Sequence, residues 1–147
     1  LDFPPLVMME FLEGDIYHVD ILADEGEIIK AVPSVRIEEK WGYGFSLECV
    51  DKPEYVEMAE RVVEELNLDH NCFIQIKDDK LMEAAGRMAG SGAIGQDLMQ
   101  GSIALAEGRS PNTEVTPVKM VRYFENVFMN PETDERVNVR DFRWLDD

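Results

Sequence analysis

The sequence predicts an α+β fold in which a mainly antiparallel sheet carries two or three helices. Strand-like runs fill residues 6–50, and the first clear helix pattern begins only after them. Strands that follow one another along the chain pair through hairpins, whereas strands that alternate with helices form parallel sheets. A length of 147 residues and a hydrophobic content of 45% favour one domain with a continuous core.

The strands of the first half are indicated by their hydrophobic pattern. Residues 6–12, LVMMEFL, form an apolar run broken by one glutamate, which predicts a buried strand. Residues 16–23, IYHVDILA, alternate between apolar and polar side chains, and the DEG sequence at 24–26 is typical of a hairpin turn. Residues 27–39 return as a strand that Pro33 interrupts, which predicts an edge strand or a kink. Another strand follows a glycine-broken loop and ends at Val50.

The clearest helix covers residues 51–68. Asp51 is the predicted N-cap, Pro53 lies in the first turn, and Glu54 completes a capping box. The opposite face is rich in acids, as expected for a helix that packs one side on a core. The apolar stripe consists of Val56, Ala59, Val63 and Leu66.

The second half continues with a hairpin and a second helix. Residues 71–76 and 80–83 read as strands joined by the tight turn Asp78-Asp79. The second helix, residues 96–108, ends at the C-cap glycine Gly108. Residues 118–128 fit either a helix or a strand. A late strand is predicted in the alternating run RVNVRDF, residues 136–142.

The charge of the chain restricts its partners. There are 31 acids against 14 bases, a net charge of −17, so a nucleic acid backbone or an anionic membrane would be repelled. A phosphate ligand would need a local cluster of cations against this field. Cys49 and Cys72 are isolated and predict inert thiols in a reducing compartment, and we expect a cytoplasmic protein. The apolar opening without an initiator methionine suggests a fragment of a longer protein.

The stretch EAAGR places a carboxylate, Glu83, and a cation, Arg87, at the mouth of a loop rich in glycine and alanine. Taken alone, this stretch could be a plain connection with one solvated ion pair or an active-site turn. Together with the segments around it, it resembles the C-terminal part of the ATP-grasp superfamily, which includes carbamoyl-phosphate synthase large chains and carboxylate–amine ligases. The resemblance is collinear from residue 7 to residue 109. It is carried by MMEFLEGDIYHVDILAD, AVPSVRIEE, DKPEYVEMA, FIQIKDDKLMEAAGR and GSGAIGQDLMQGSIALAEGR.

The resemblance implies where a nucleotide would lie. In the family, the first strand offers its backbone to the adenine edge, and Glu10, Phe11 and Leu12 occupy the matching positions. Without the resemblance, the same residues would read as a plain core strand. The family often has a ribose-binding acid where this chain has Ile16, so Asp15 is the candidate substitute.

The next strand carries basic residues that the resemblance assigns to substrate or phosphate. Arg36 matches the arginine of the family's RRRIE strand, with Lys30 as a companion, although Arg36 could also be a solvated cation. His18 replaces a family threonine and is expected to be structural. The aromatic loop formed by Trp41, Tyr43 and Phe45 around two glycines reads equally as a lid or as a surface hairpin.

The resemblance also implies a metal site for Mg²⁺ (or Mn²⁺). Gln75 and Glu83 match two family ligands, and Arg87 matches the arginine that steadies the transferred phosphate or an acyl phosphate. The family's third ligand is an asparagine, followed by proline. This chain has Ala85 and Gly86 at those positions, so one ligand is missing and the turn is less rigid.

By resemblance, then, the chain is expected to be part of an ATP-dependent ligase. Such enzymes phosphorylate a small carboxylate with ATP, and an amine or another nucleophile such as a thiol then displaces phosphate. We divide the chain into residues 1–109, the C-terminal lobe of the ATP-grasp domain, and residues 110–147, an extension packed on it. A missing N-terminal lobe is the expected partner, a homodimer is an option, and the fragment alone should be inactive. The alternative is a degenerate domain that binds or scaffolds without catalysis.

Overall fold

The structure is a computed structural model that describes residues 6, 8–40, 42–92, 94 and 96–122. Over these residues it contains one antiparallel sheet of six strands with two helices, which confirms the predicted α+β class. The strands are β1 (Ile16–Asp24), β2 (Glu27–Lys40), β3 (Tyr43–Cys49), β4 (His70–Lys77), β5 (Lys80–Ala85) and β6 (Lys119–Val121), and the helices are α1 (Pro53–Leu66) and α2 (Leu98–Ala106).

The sheet has the strand order β5-β4-β1-β2-β3-β6, and every neighbouring pair is antiparallel. Both predicted tight turns are confirmed. Glu25 and Gly26 join β1 to β2, Asp78 and Asp79 join β4 to β5, and all four residues have positive φ. Two such residues in succession give the turn whose twist matches that of paired strands. The second turn is also tied to α1, because the Tyr55 hydroxyl donates to the Asp79 carboxylate at 2.7 Å.

The first face of the sheet packs against α1. The predicted helix is confirmed, but its buried stripe is formed by Tyr55, Ala59 and Val63, whereas Leu66 is 58% exposed. Cys72 belongs to this core, and burial raises the pKa of its thiol to about 11, so it is an inert thiol. Both cysteines are free. The strand residues of this core are Val19, Ile21, Ala23, Cys72, Ile74 and Ile76.

The start of α1 differs from the prediction. The N-cap is Lys52 instead of Asp51, and no side chain caps the first turn. Pro53 occupies the first helical position, which its missing N–H and restricted φ favour, and this moves the cap to the residue before it. Glu54 therefore makes an ion pair with Lys52, at 3.0 Å between Nζ and Oε1, instead of a capping box.

Pro33 lies inside the sheet, which contradicts the predicted edge strand or kink. β2 runs without a break between β1 and β3. The Pro33 carbonyl accepts a hydrogen bond from the Val50 amide at 3.1 Å, just beyond the end of β3. In an antiparallel ladder the N–H and C=O of one residue point to the same neighbour. The nitrogen of Pro33 therefore points toward the β3 side, where that strand has already ended. The lack of an N–H at Pro33 removes no hydrogen bond from the ladder with β1.

The predicted first strand, residues 6–12, is wrong. The described residues of this run have no regular secondary structure, and Met8, Met9 and Phe11 are 97%, 70% and 84% exposed. An apolar run signals a tendency to be buried, but burial needs a surface to pack on. The run pairs with none of the six strands in the part of the chain that the structure describes.

The second face of the sheet is covered by α2 and the loop that precedes it. Gly101 of α2 approaches Leu22 of β1 closely, since a Cβ at this glycine would lie 2.5 Å from Leu22 Cδ2. The helix starts two residues later than predicted. The predicted glycine at the end of the helix is confirmed, because Gly108 follows the cap residue directly and has a φ of +69°. The amides of Gly108 and Arg109 donate to the carbonyls of Leu105 and Ala104, as in a Schellman motif.

The remaining predictions concern the C-terminal part. Residues 119–121 of the ambiguous segment form β6, which pairs with β3 and places this segment on the sheet. The late strand predicted at 136–142 and most of the proposed extension lie outside the described residues, so the domain division stays a prediction. Neither helix of the described ranges is long and apolar enough to cross a membrane.

Candidate functional site

A row of polar side chains crosses the sheet on the face opposite α1. Gln75 of β4 is paired with Glu83 of β5 on one side and with His18 of β1 on the other. His18 is in turn paired with Ser34 of β2. Because side chains alternate between the faces of a sheet, residues paired in register all point to one side. Four strands therefore present polar groups along one line.

The loop between β5 and α2 lies over this row and closes a cavity of about 190 Å³. Gly90 and Ser91 of the loop line it from above, and Gly42 of the turn between β2 and β3 and Gly44 of β3 also line it. A side chain would be tightly accommodated only at Gly44, where a Cβ would lie 2.9 Å from a Leu47 methyl group, whereas nothing lies within 4 Å of a Cβ at Gly42 or Gly90. Three predicted site residues line the cavity together: Arg36, Gln75 and Arg87.

Arg36 is held inside the cavity by His18. Arg36 Nη2 lies 2.8 Å from His18 Nε2, and its Nη1 lies 2.8 Å from a Glu39 oxygen. A guanidinium can only donate, so His18 Nε2 is the acceptor and its ring is neutral, with the proton on Nδ1. Burial and the neighbouring Arg36 charge lower the pKa of His18 to about 4. The Nδ1 atom has no hydrogen-bond partner among the described residues.

Arg87 lies at the mouth of the cavity and is held on three sides. Its guanidinium is 4.9 Å from the centre of the Phe73 ring, its Nη2 is 3.3 Å from Glu83 Oε1, and its Nη1 donates to the Met88 carbonyl at 3.2 Å. The ring and the carboxylate orient the group, while most of the side chain remains exposed to a ligand.

A third arginine, Arg122, lines the same cavity and was missed by the sequence analysis. It follows β6, where its amide donates to the Phe45 carbonyl at 2.8 Å, and its guanidinium donates to the Gly90 carbonyl. No motif marks Arg122, because only the pairing of β6 with β3 brings residue 122 to the site. The structure thus provides the cation cluster that a phosphate ligand needs in a protein of net charge −17.

A buried acid below the loop was also missed. Ser91 Oγ donates to Asp20 Oδ1 at 3.1 Å, and both side chains are almost fully buried. Burial raises the pKa of Asp20 to about 6, although the Ser91 hydrogen bond opposes this shift. The contact ties the glycine-rich loop to β1. The signal in the sequence was the single acid in the apolar run of β1.

Within the described residues, the oxygen donors Gln75 and Glu83 fit one hard divalent ion. Glu83 offers a carboxylate and Gln75 an amide oxygen, both of the type that Mg²⁺ prefers. Across the described ranges, no group of three or more His, Cys, Asp or Glu side chains is arranged to hold a metal. Ala85, paired with Phe73, shares the face of Glu83 but has no donor atom. Magnesium commonly uses one or two protein ligands with water and phosphate oxygens, so this pair fits a single ion.

Lys30, a predicted companion of Arg36, is not brought to the cavity. Its Nζ donates to the Gln96 carbonyl at 2.9 Å, and the residue is buried. Positions 30 and 36 lie on one continuous strand, which separates their backbones by about 20 Å.

The predicted adenine and ribose residues lie near the turn between β4 and β5, outside the cavity lining. A Glu10 oxygen is 2.9 Å from Lys80 Nζ, and the Phe11 ring centre is 5.7 Å from Lys77 Nζ. Leu12 is half-buried. These contacts attach the segment to one edge of the sheet. Three of the four side chains are exposed to solvent: Glu10, Phe11 and Asp15.

Along the chain, β4 with Gln75, the hairpin, β5 and the glycine-rich loop that leads into α2 follow one another in the order that the resemblance to the ATP-grasp superfamily implies. A comparison with protein-family models identifies the family: residues 2–127 match the one described as "ATP-grasp in the biosynthetic pathway with Ter operon". Because the match covers most of the chain, the chain belongs to this family. The predicted ATP-grasp membership is confirmed. No curated protein matches the chain.

Proposed function

We propose that this chain is the ATP-binding portion of an ATP-dependent ligase that forms an acyl phosphate from a small carboxylate. The observation that carries the proposal is the convergence of Arg36, Gln75 and Arg87 on one cavity. Glu83 lies outside the cavity lining, but it is paired with Gln75 across the ladder and is 3.3 Å from Arg87 Nη2. Two cations and a hard-oxygen pair are what a polyphosphate with its metal requires. The description of the family, which places it in a biosynthetic pathway, supports a bond-forming enzyme.

The chemistry would need no protein nucleophile. A carboxylate oxygen of the substrate attacks the γ-phosphorus of ATP, the bond to the leaving ADP oxygen breaks, and an acyl phosphate forms. An amine or another nucleophile then attacks the acyl carbon and releases inorganic phosphate. The charge on the transferring group would be stabilised by Arg36 and Arg87.

Gln75 and Glu83 would hold one Mg²⁺ (or Mn²⁺), which when bound neutralises phosphate charge. The turn that follows leads directly to Arg87, so metal ligand and cation share one segment. Both strands are anchored in the sheet, which limits movement of the two oxygen donors.

The other nucleotide contacts are proposed from the resemblance alone. Glu10, Phe11 and Leu12 would offer backbone groups to adenine, and Asp15 would bind ribose hydroxyls. Lys30 would serve the nucleotide only after leaving its Gln96 contact. We further propose a cytoplasmic protein with an N-terminal lobe as partner and residues 110–147 as an extension. A homodimer is the alternative way to cover the open face, and the chain by itself should not turn over ATP.

The test uses the full protein with ATP, Mg²⁺, a panel of small carboxylates and hydroxylamine, which traps acyl phosphates as hydroxamates. We expect ADP and hydroxamate in equal amounts with the right carboxylate. Arg87→Ala should abolish both, whereas the matched exposed control Arg61→Ala should not. Hydroxamate formation unaffected by Arg87→Ala, or ADP release without any hydroxamate across the panel, would contradict the proposal.

A second candidate is a non-catalytic ATP-grasp domain that binds or scaffolds. Ala85 favours it, because a methyl group lies on the face where the family has a ligating amide. In this case the full protein would bind nucleotide without turnover, and Glu83→Gln would leave binding unchanged at any Mg²⁺ concentration.

A further inference from the structure

The cavity contains a cation whose inner partner is neutral. The side chain of Arg36 is 11% exposed, compared with 63% for Arg87, and its Nη2 donates to the imidazole of His18 at 2.8 Å. The carboxylate on its other side, Glu39, has a side-chain exposure of 44% and faces solvent. The buried end of the guanidinium is thus oriented by a group that carries no charge.

A neutral acceptor has a different effect from a carboxylate. A buried carboxylate at this position would orient the guanidinium but also cancel its charge, and an incoming anion would then meet a neutral pair. An imidazole lone pair gives direction through one hydrogen bond and leaves the positive charge for a ligand. The exposed Glu39 cancels less, because solvent screens its interaction.

His18 is itself firmly placed. It is 3% exposed, lies on the central strand between Gln75 and Ser34, and has its ring 6.4 Å from the ring of Phe73. Burial and the neighbouring strands restrict the ring, and its Nε2 faces Arg36. The same row that carries the proposed metal ligands therefore also sets the direction of Arg36.

We propose that His18 is a positioning residue that aims Arg36 into the cavity through its neutral Nε2 and preserves the guanidinium charge for a phosphate group. This inference rests on the proposed function only in naming phosphate as the anion. The orientation of Arg36 by His18 is a property of the chain itself.

The first experiment examines the unliganded chain by NMR. Long-range ¹H–¹⁵N spectra at neutral pH should show His18 protonated on Nδ1 and bare at Nε2. Rotation of the Arg36 guanidinium should be slow, faster in His18→Leu, and slow again in His18→Gln, whose amide oxygen can accept. A proton on Nε2, or Arg36 rotation that is the same in wild type and His18→Leu, would overturn the inference without any nucleotide.

The second experiment is a double-mutant cycle with Mg²⁺–pyrophosphate as the probe. His18→Leu should weaken binding by about three- to tenfold, and His18→Gln should restore most of it. In an Arg36→Ala background His18→Leu should have no further effect, because it acts through Arg36. An equal loss in both backgrounds would overturn the inference. If the wild type binds no pyrophosphate, the proposed function fails. The positioning role of His18 is then still decided by the NMR experiment, through the tautomer of His18 and the rotation of Arg36.

Discussion

Gln75 and Glu83 face each other across the ladder between β4 and β5, on the side of the sheet that carries Arg36. The ion pair of Glu83 with Arg87 is exposed, and pairs of this kind contribute about 0–1 kcal/mol to stability. Stability therefore gives little reason for a glutamate at this point. Ligation of a metal ion beside an anion site would give a specific reason for this glutamate.

Restoring the missing donor should strengthen metal binding. Ala85→Asn adds an amide oxygen on the face of Glu83, and we expect Mn²⁺ affinity, measured by calorimetry with nucleotide present, to rise by roughly tenfold, or about 1.4 kcal/mol. The gain should vanish in Glu83→Gln/Ala85→Asn. An equal gain in that double variant would show that the asparagine binds elsewhere.

Arg122 should contribute to anion binding although no sequence motif marks it. Its guanidinium lines the cavity beside Gly90, so Arg122→Ala should weaken pyrophosphate binding by about three- to tenfold, as expected for a charged hydrogen-bonding group. Thermal denaturation should confirm that the variant is folded. The exposed Arg109, which pairs with Glu107 two residues earlier in the chain, provides the control Arg109→Ala. Similar affinity losses in the two variants would argue for a general charge effect.

Asp20 should make stability depend on pH. Burial raises its folded pKa to about 6 from 3.8, so between these values the folded state binds more protons than the unfolded state. The contribution of Asp20 to stability therefore falls as pH rises. Compared with Asp20→Asn, the wild type should lose about 1 kcal/mol of unfolding free energy between about pH 5 and pH 7. Urea denaturation at both pH values measures this difference, and a pH-independent difference would contradict it.

Gly101 should resist replacement despite its position inside a helix. Alanine would raise helix propensity by about 1 kcal/mol, but its Cβ would lie 2.5 Å from the buried Leu22 side chain. We expect Gly101→Ala to be destabilising by a net of about 1–2 kcal/mol, seen as a lower Tm. Gly86→Ala is the control. A Cβ at this position would lie 3.9 Å from its nearest neighbour, so the substitution should be neutral or slightly stabilising. A Tm for Gly101→Ala at or above wild type would contradict the overpacking.

The parts of the fold that local chemistry determines were predictable from the sequence. The turns Glu25-Gly26 and Asp78-Asp79 and the helix beginning near Pro53 each depend on residues close together in the chain. Pro33 was misinterpreted because its effect depends on where β3 ends, which is a non-local fact. The apolar residues 6–12 were misinterpreted because hydrophobicity does not show whether a surface is present to cover them.

The site residues that could be predicted from the sequence were those that match the collinear family pattern. That pattern brought Arg36, Gln75 and Arg87 into one set, and the structure places them on one cavity. The registry that aligns Gln75 with His18 depends on pairing between distant strands, so sequence alone did not connect them. Arg122 was invisible for the same reason.

The most direct test of the central claim follows the chain by NMR while Mg²⁺–ATP is added. We expect shifts of the Arg36 and Arg87 side-chain signals and of the Ser91 amide, which weaken in Glu83→Gln but not in the exposed control Glu64→Gln. Titration should extend to about 10 mM, where even a site worth roughly 3 kcal/mol would be about 60% occupied. Absence of shifts at the cavity, or identical titrations in wild type and Glu83→Gln at every Mg²⁺ concentration, would contradict the account.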